Sequence, residues 1–266
     1  MKVSLSQKRI CSAILLSLIA SLSHGQITKD DRGSRGYFRL GINQFGKDLN
    51  EQLSAYGSGS ILANMREGAY GSEAGYVLEF GRNYYFYSPG ILPFDARVGL
   101  DWTQLSATYN ELDWSEAAAI DAADGYTVDA SDALAISLAS KLGPVISINP
   151  ISQLVVDLRV QLSVTYFVNT TDYYAYQEDD WGDERYFSFL TDDEESEDEA
   201  SVVSQLGELG KFGFKPNYGV TVRYGGIGLA MDYSPGSFKT SYSSSEGNGE
   251  ERFKNNLLQF KLSLTL

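Results

Sequence analysis

The sequence predicts an all-β fold: an eight-stranded antiparallel up-and-down transmembrane β-barrel with long extracellular loops and short periplasmic turns. Three observations support this prediction. Apolar residues recur at every second position in eight segments, the connections between the segments alternate between long and short, and the second face of the segments carries small residues and charges of both signs. Because successive side chains of a strand point to opposite sides, each segment would have one apolar face and one polar face.

The eight segments give the predicted strands in chain order. In the last one, from Leu258 to Leu266, every even position is apolar and every odd position is polar. The apolar positions of the eight segments are Phe38, Leu40 and Ile42; Tyr76, Leu78 and Phe80; Val98, Leu100 and Trp102; Leu134, Ile136, Leu138 and Leu142; Val156, Leu158, Val160, Leu162, Val164 and Tyr166; Tyr218, Val220, Val222 and Tyr224; Ile227, Leu229, Met231 and Tyr233; Leu258, Phe260, Leu262, Leu264 and Leu266. No stretch after residue 25 shows a competing helical periodicity, so no helix is predicted there.

The connections between the segments follow a regular order of lengths. Long polar stretches occupy residues 47–72, 110–131, 172–210 and 243–253, and short turns are predicted around residues 88–90, at 143–150 and at 225–226. The last short turn is Gly225-Gly226, which is typical of a tight hairpin. This alternation places every long loop on one side and both chain ends on the other, as in a barrel threaded through a membrane.

Residues 1–25 are predicted to be a cleaved signal peptide, which leaves residues 26–266 as one barrel domain. Three basic residues precede the apolar run Ile10–Leu22, and the small residues Ser23 and Gly25 precede the predicted cut. The apolar run is shorter than the roughly 20 residues that a spanning helix needs. The single cysteine, Cys11, lies in this segment, so the exported protein would contain neither a thiol nor a disulfide.

The charge balance excludes one class of partner. The full chain has a net charge of −14, and removal of residues 1–25, which contain three basic and no acidic residues, would bring it to −17. Nucleic acids are bound through lysine and arginine contacts to phosphates, so no nucleic-acid partner is expected. An acidic exterior is compatible with cations or basic partners.

The polar face of the strands distinguishes a membrane barrel from a soluble β-sandwich, which would alternate in the same way. This face carries small residues and complementary charges, which suit a crowded interior, and aromatic residues at strand ends are typical of lipid interfaces. We expect the inward charges to form a structural ion-pair network, with an ion path as the alternative. The predicted lumen charges are Arg39, Glu79, Arg97, Asp101, Lys141, Asp157, Arg159, Arg223, Asp232 and Lys261.

The signal peptide, the strand count and the alternation of Leu258, Phe260, Leu262, Leu264 and Leu266 resemble the small bacterial outer-membrane β-barrels of the OmpA and OmpX type. The resemblance implies a bacterial outer-membrane location, contact with outer-membrane lipid, and recognition of the C-terminal strand by the outer-membrane assembly machinery. In that family the terminal residue is commonly aromatic, whereas this chain ends in Leu266. We expect no periplasmic domain like the one that OmpA-like proteins carry.

The stretch from residue 172 to 210 is both acidic and aromatic. Clustered carboxylates favour Ca²⁺, but no Asp-x-Asp-x-Asp-Gly spacing is present, so a solvated acidic loop is predicted and no metal site. Exposed aromatic residues are typical of contact surfaces, so this loop is the predicted binding surface; an extension of the barrel as a hairpin is the alternative. The aromatic residues of this predicted surface are Tyr173, Tyr174, Tyr176, Trp181, Tyr186, Phe187 and Phe189.

The sequence offers little for catalysis. His24 is the only histidine and, like Cys11, lies in the predicted signal peptide. The exported chain would therefore lack the usual general base, the thiol nucleophile and the usual transition-metal ligands. No enzyme activity, catalytic residue or cofactor is predicted.

The sequence thus predicts a non-enzymatic outer-membrane barrel with a role in surface structure, adhesion or binding of an extracellular partner through its loops. A narrow porin-like channel for ions or small solutes is the alternative, and a soluble secreted β-sandwich is a third hypothesis.

Overall fold

The computed structural model describes residues 34–47, 59–88, 95–130, 133–151, 153–177, 184–189, 210–245 and 247–266. The predicted signal peptide and Trp181 lie outside these residues, as does much of the acidic stretch. The described part contains thirteen strands and two helices. The strands fall into a closed barrel and a separate five-stranded sheet.

Eight strands form the closed antiparallel barrel, which confirms the predicted fold class over the predicted sandwich alternative. They are β1 (Ser34–Phe45), β2 (Gly75–Tyr87), β3 (Asp95–Leu112), β5 (Ala133–Ile151), β6 (Leu154–Asn169), β9 (Lys211–Tyr224), β10 (Ile227–Ser234) and β13 (Leu257–Thr265). Each barrel strand pairs with the barrel strands before and after it in the chain, so the topology is up-and-down. The first and last strands close the barrel, with Phe38 opposite Leu264 and Ile42 opposite Phe260.

Each of the eight predicted segments coincides with one barrel strand. The register shifts after Thr103 because a β-bulge there moves the inward positions of β3 from odd to even numbers. The turn predicted around residues 143–150 is wrong, since β5 continues to Ile151. Pro144 lies inside this strand and faces outward, opposite Leu100 of β3.

The other elements all lie in the long connections, and together they form a unit that we call the cap. The cap consists of α1 (Gly59–Glu67), α2 (Ser115–Ala123), β4 (Thr127–Ala130), β7 (Asp172–Tyr176), β8 (Glu184–Ser188), β11 (Ser237–Ser244) and β12 (Gly249–Lys254). Its five strands form one sheet in the order β12-β11-β8-β7-β4. The opposite end of the barrel, which we call the turn end, holds the short connections and both ends of the described chain.

The two helices correct the prediction that no helix follows residue 25. Both have only nine residues, so neither shows an extended periodic stripe. Helix α2 is rich in alanine, the residue with the highest helix propensity. Helix α1 buries Ile61, Leu62 and Met65, which are neighbours on one helical face.

Polar and apolar side chains are separated in an unusual way. The inward positions of the barrel are mainly polar, and its outward positions are mainly apolar; on β6, for example, Leu158, Val160 and Leu162 are 46%, 53% and 56% exposed. The apolar core lies in the cap and at the adjoining ends of the barrel strands. The barrel is also uneven in height, since β5 has 19 residues and β10 only eight.

Candidate functional site: the charged interior and the cap

Glu79 is at the centre of the barrel interior. Its side chain is completely buried, and its two carboxylate oxygens accept hydrogen bonds from Lys141 Nζ at 2.6 Å and Lys261 Nζ at 2.7 Å. Ser106 on β3 donates a further hydrogen bond at 2.9 Å. The alternation of β2 aims Glu79 inward because its neighbours Leu78 and Phe80 face outward.

Asp232 on β10 connects this group to the other side of the barrel. It accepts hydrogen bonds from Lys261 Nζ and, at 2.6 Å, from Arg159 Nη2. Arg159 Nε also lies 3.6 Å from Asp101 Oδ2, and Asp101 accepts a hydrogen bond from the Tyr37 hydroxyl at 2.6 Å.

Arg39 is the remaining member of this central network. Its guanidinium lies 3.6 Å from Glu79 and 3.9 Å from Asp101, and it stacks on the ring of Tyr37 at 3.7 Å. The structure thus brings together seven of the ten predicted lumen charges. The seven are Arg39, Glu79, Asp101, Lys141, Arg159, Asp232 and Lys261.

Two more predicted charges form a separate pair closer to the turn end. Arg223 Nε donates to Asp157 Oδ2 at 3.0 Å, and the Ser147 hydroxyl also donates to Asp157. The tenth residue, Arg97, is 24% exposed and lies 3.5 Å from Asp95 near the turn end. The structure places Arg97 apart from the central network.

Sequence reasoning missed one buried cation, Lys215 on β9. It is 8% exposed and donates to Asn255 Oδ1 at 3.3 Å. The sixth predicted strand starts at Tyr218, after Pro216, whereas β9 begins at Lys211. The sequence did contain the pattern that would have identified Lys215, because Gly213, Lys215 and Asn217 lie at the same alternate positions as the inward-facing Gly219.

Pairing is what makes these charges tolerable inside the barrel. An isolated buried charge is strongly unfavourable, and each charge of the central network has at least one opposite partner within 4 Å. A cavity of about 10 Å³ lies at the turn end of the described barrel interior. That is room for about one water molecule.

The cap closes the other end of the barrel with a buried aromatic cluster. Phe45 and Phe167 rise from barrel strands and approach each other at 5.3 Å between ring centroids, and Phe167 contacts Phe238 of the cap at 4.8 Å. Phe253 packs edge-on against Phe189 at 5.1 Å. This cluster places an apolar layer directly above the charged interior.

The predicted loop-binding residues divide between the two faces of the cap sheet. Tyr173, Phe187 and Phe189 are buried in the aromatic cluster, which leaves them unable to contact an outside partner. Tyr174, Tyr176 and Tyr186 alternate with these residues and lie on the outer face, and we call them the tyrosine patch. The hairpin formed by β7 and β8 corresponds to the alternative that the sequence left open.

The tyrosine patch is compact and has acidic neighbours. Tyr174 is directly opposite Tyr186, and its ring centroid lies 5.6 Å from that of Tyr176. Asp129 of β4 is opposite Tyr174 on the other side. Partial desolvation and a hydrogen bond to Glu184 raise the pKa of the Tyr174 hydroxyl above its ordinary value of 10.

Ion pairs hold the cap elements together. Asp121 of α2 accepts hydrogen bonds from the Tyr173 hydroxyl and from Arg185 Nη1, the latter at 2.5 Å. Burial and the hydrogen bond to Asp121 raise the pKa of the Tyr173 hydroxyl well above its usual value. Arg66 of α1 forms a bidentate pair with Glu251 of β12 at 2.6 and 2.7 Å.

The described residues contain no cluster of three or more histidine, cysteine, aspartate or glutamate side chains arranged to hold a metal ion. Within the same residues, neither helix has the length and apolar character needed to cross a membrane.

The protein has the architecture of a closed antiparallel β-barrel with an apolar exterior and an ion-paired interior. No protein-family profile matches the sequence, and no curated protein matches it. Among solved structures, a major outer membrane protein from Thermus thermophilus is similar with a TM-score of 0.38 and 9% sequence identity, over 88% of this chain and 99% of that one. At this level of similarity the match has no bearing on function.

Proposed function

We propose that this chain is an integral outer-membrane β-barrel whose cap lies outside the cell and serves as a non-enzymatic surface for adhesion or binding. The observation that carries the membrane proposal is the band of exposed apolar side chains around the barrel. Soluble monomers rarely expose a continuous apolar surface of this extent. The band includes Leu40, Ile42, Leu78, Phe80, Leu138, Leu142, Leu158, Val160, Leu162, Val164, Leu229, Met231, Phe260 and Leu262.

A closed barrel is the form of β-sheet that hydrocarbon permits, because every backbone amide inside a bilayer needs a partner. Long connections of outer-membrane barrels face the exterior and short ones face the periplasm. The cap would then be extracellular, and the turn end periplasmic.

The experiment for this proposal is fractionation of cells that express the full chain. We expect the barrel to stay with outer membranes after a carbonate wash and to change its gel mobility when heated in detergent. Recovery of a monodisperse protein in buffer without detergent would contradict the proposal.

The binding role is supported by the tyrosine patch. Tyrosine provides a large contact area together with a hydroxyl group, and it is enriched in protein interfaces. The patch lies on a sheet whose other face is anchored in the aromatic cluster, so its three side chains are presented from a rigid support.

Binding can be tested with cells that display the wild-type chain or a variant with serine at all three patch positions. We expect the triple substitution Tyr174→Ser, Tyr176→Ser and Tyr186→Ser to reduce attachment to a panel of immobilised glycans and matrix proteins at least tenfold. Ser243→Ala on the same face of the sheet is the matched control and should attach normally. If the triple variant attaches as well as the wild type, the tyrosine patch is not the binding surface, and the membrane proposal is unaffected.

A further inference from the structure

The cavity at the turn end has an unusual charge. Its lining includes three guanidinium groups, from Arg35, Arg39 and Arg223, and a single carboxylate, from Asp157. The lining is completed by Gly36, Tyr37, Asn83, Ser263 and Thr265, none of which is charged. The formal charge of the lining is therefore +2.

Two of the three guanidinium groups have unused donors. Arg39 and Arg223 are 2% and 4% exposed, and the Nη1 atom of each has no hydrogen-bond partner among the described residues. Arg39 makes one long hydrogen bond, from Nε to Ser263 Oγ at 3.4 Å. Its Nη1 and Nη2 atoms lie 3.6 Å from Glu79 Oε2 and 3.9 Å from Asp101 Oδ2, ion-pair separations too long for hydrogen bonds. Arg223 uses Nε for Asp157 at 3.0 Å. Buried donors of this kind are rare without a partner.

The wider interior has the same sign of imbalance. The buried charges of the described barrel strands comprise six cations and four anions. They are Arg39, Lys141, Arg159, Lys215, Arg223 and Lys261, against Glu79, Asp101, Asp157 and Asp232. Excess positive charge in a low-dielectric interior is unfavourable, and a bound anion would offset it.

We propose that this cavity is a binding site for a small monovalent inorganic anion of the halide class, held between the Nη1 atoms of Arg39 and Arg223 with Arg35 beside it. A volume of about 10 Å³ favours a monatomic anion over phosphate, sulfate and organic acids. The anion enters from the turn end, because the central network lies on the other side of the cavity. Charge-assisted hydrogen bonds from two guanidinium groups provide the affinity.

Bromide is the probe, because it can be located by its anomalous scattering. We expect crystals of the full chain, grown with gluconate as the only anion and soaked in sodium bromide, to show an anomalous peak between Arg39 and Arg223. The melting temperature in detergent should rise by roughly 3–6 °C when gluconate is replaced by chloride at equal ionic strength and at about ten times the dissociation constant.

Two arginine variants separate site binding from a general salt effect. Arg35→Gln should lose at least half of the chloride-dependent shift in melting temperature. Arg82→Gln is the matched control, because Arg82 is opposite Gly36 in the sheet but its side chain is exposed on the outer wall. This control should keep the whole shift.

The wild-type protein decides the question even if a variant folds poorly. An empty anomalous map at the cavity, together with equal melting temperatures in chloride and gluconate, would show that the cavity takes water only and would overturn the proposal. The proposal would also be overturned if the wild type, Arg35→Gln and Arg82→Gln all showed the same chloride-dependent rise in melting temperature and no anomalous peak appeared at the cavity.

Discussion

Gly219 shows how closely the wall of the barrel approaches the ion pairs inside it. A Cβ atom at this position would lie 2.0 Å from Asp232 Oδ1 and 2.7 Å from Arg159 Nη2. The absence of a side chain is therefore a condition for the Arg159–Asp232 pair. Glycine in a strand often marks such a close approach.

We predict that Gly219→Ala destabilises the barrel by roughly 1–3 kcal/mol, the usual cost of overpacking. The reason is that the new methyl group must displace Asp232 or Arg159. Unfolding by urea in lipid vesicles, followed by gel mobility, measures the change.

Gly213→Ala is the control, because it lies on the same strand with the same inward phase and nothing is within 4 Å of its Cβ position. Its stability should change by less than about 0.5 kcal/mol. Similar losses in both variants would mean that the effect comes from the strand backbone and not from the ion pair.

At the scale of elements, α1 is joined to β12 by two ion pairs at the surface of the cap. Arg66 donates two hydrogen bonds to Glu251, and Lys254 donates one to Glu67 at 2.6 Å. These bonds lower the pKa of both carboxyl groups below the ordinary value of 4.5. Since both pairs are largely exposed to solvent, each contributes modestly.

Because both carboxyl pKa values are lowered in the folded protein, the two ion pairs stabilise the attachment of α1 more at neutral pH than at acidic pH. A carboxyl group with a lowered pKa in the folded state stabilises that state above its unfolded pKa, and this contribution is lost as the pH falls through the folded value. We predict that α1 is protected from hydrogen exchange at pH 7 and progressively loses protection below about pH 4.5. Exchange rates corrected for the intrinsic effect of pH provide the measurement.

Arg66→Gln is the matched variant for this prediction. Its α1 amides should be less protected at pH 7 and should change less between pH 7 and pH 3. An unchanged pH profile in this variant would assign the protection of α1 to apolar packing alone.

The elements also show why the sequence predicts the barrel better than the cap. Barrel strands alternate regularly because one face of each must meet an apolar phase and the other a crowded polar interior. The cap has a core of its own, in which short strands such as β7 and two nine-residue helices supply only a few buried side chains each. Alternation in Tyr173, Tyr174 and Ala175 is weak because both faces of β7 carry aromatic residues.

The interior was predictable at the level of residue type but not of partner. The alternation of apolar and polar residues predicted that Glu79 and Lys261 face inward on separate strands. Their 2.7 Å contact, however, depends on barrel closure and on the tilt of the strands. Lys215 was missed because it precedes Pro216, a residue type that usually limits a strand.

At the scale of the whole molecule, the apolar cluster of the cap, the central ion-pair network and the small cavity lie one above the other along the barrel. This order favours a barrel that does not conduct ions over the narrow-channel hypothesis. Ions would have to pass both an apolar layer and a layer of paired charges, each of which opposes their movement.

We predict that the purified full chain gives no steady unit currents in planar bilayers, whereas an open porin reconstituted in the same way does. Steady currents that disappear when Glu79 and Lys261 are both replaced by methionine would instead support the channel. Currents unaffected by that double substitution would point to defects in the bilayer and not to the barrel interior.

The unequal strand lengths give the molecule a high flank and a low flank. A tilted strand needs about 9–11 residues to traverse the hydrocarbon region, so the eight residues of β10 fall just short, while the 19 of β5 extend well beyond it. Lipids next to β10 and β13 would be compressed relative to those next to β5, at a cost that grows with each ångström of mismatch. The molecule would therefore deform its surrounding bilayer asymmetrically and favour thin regions of the membrane on one side only.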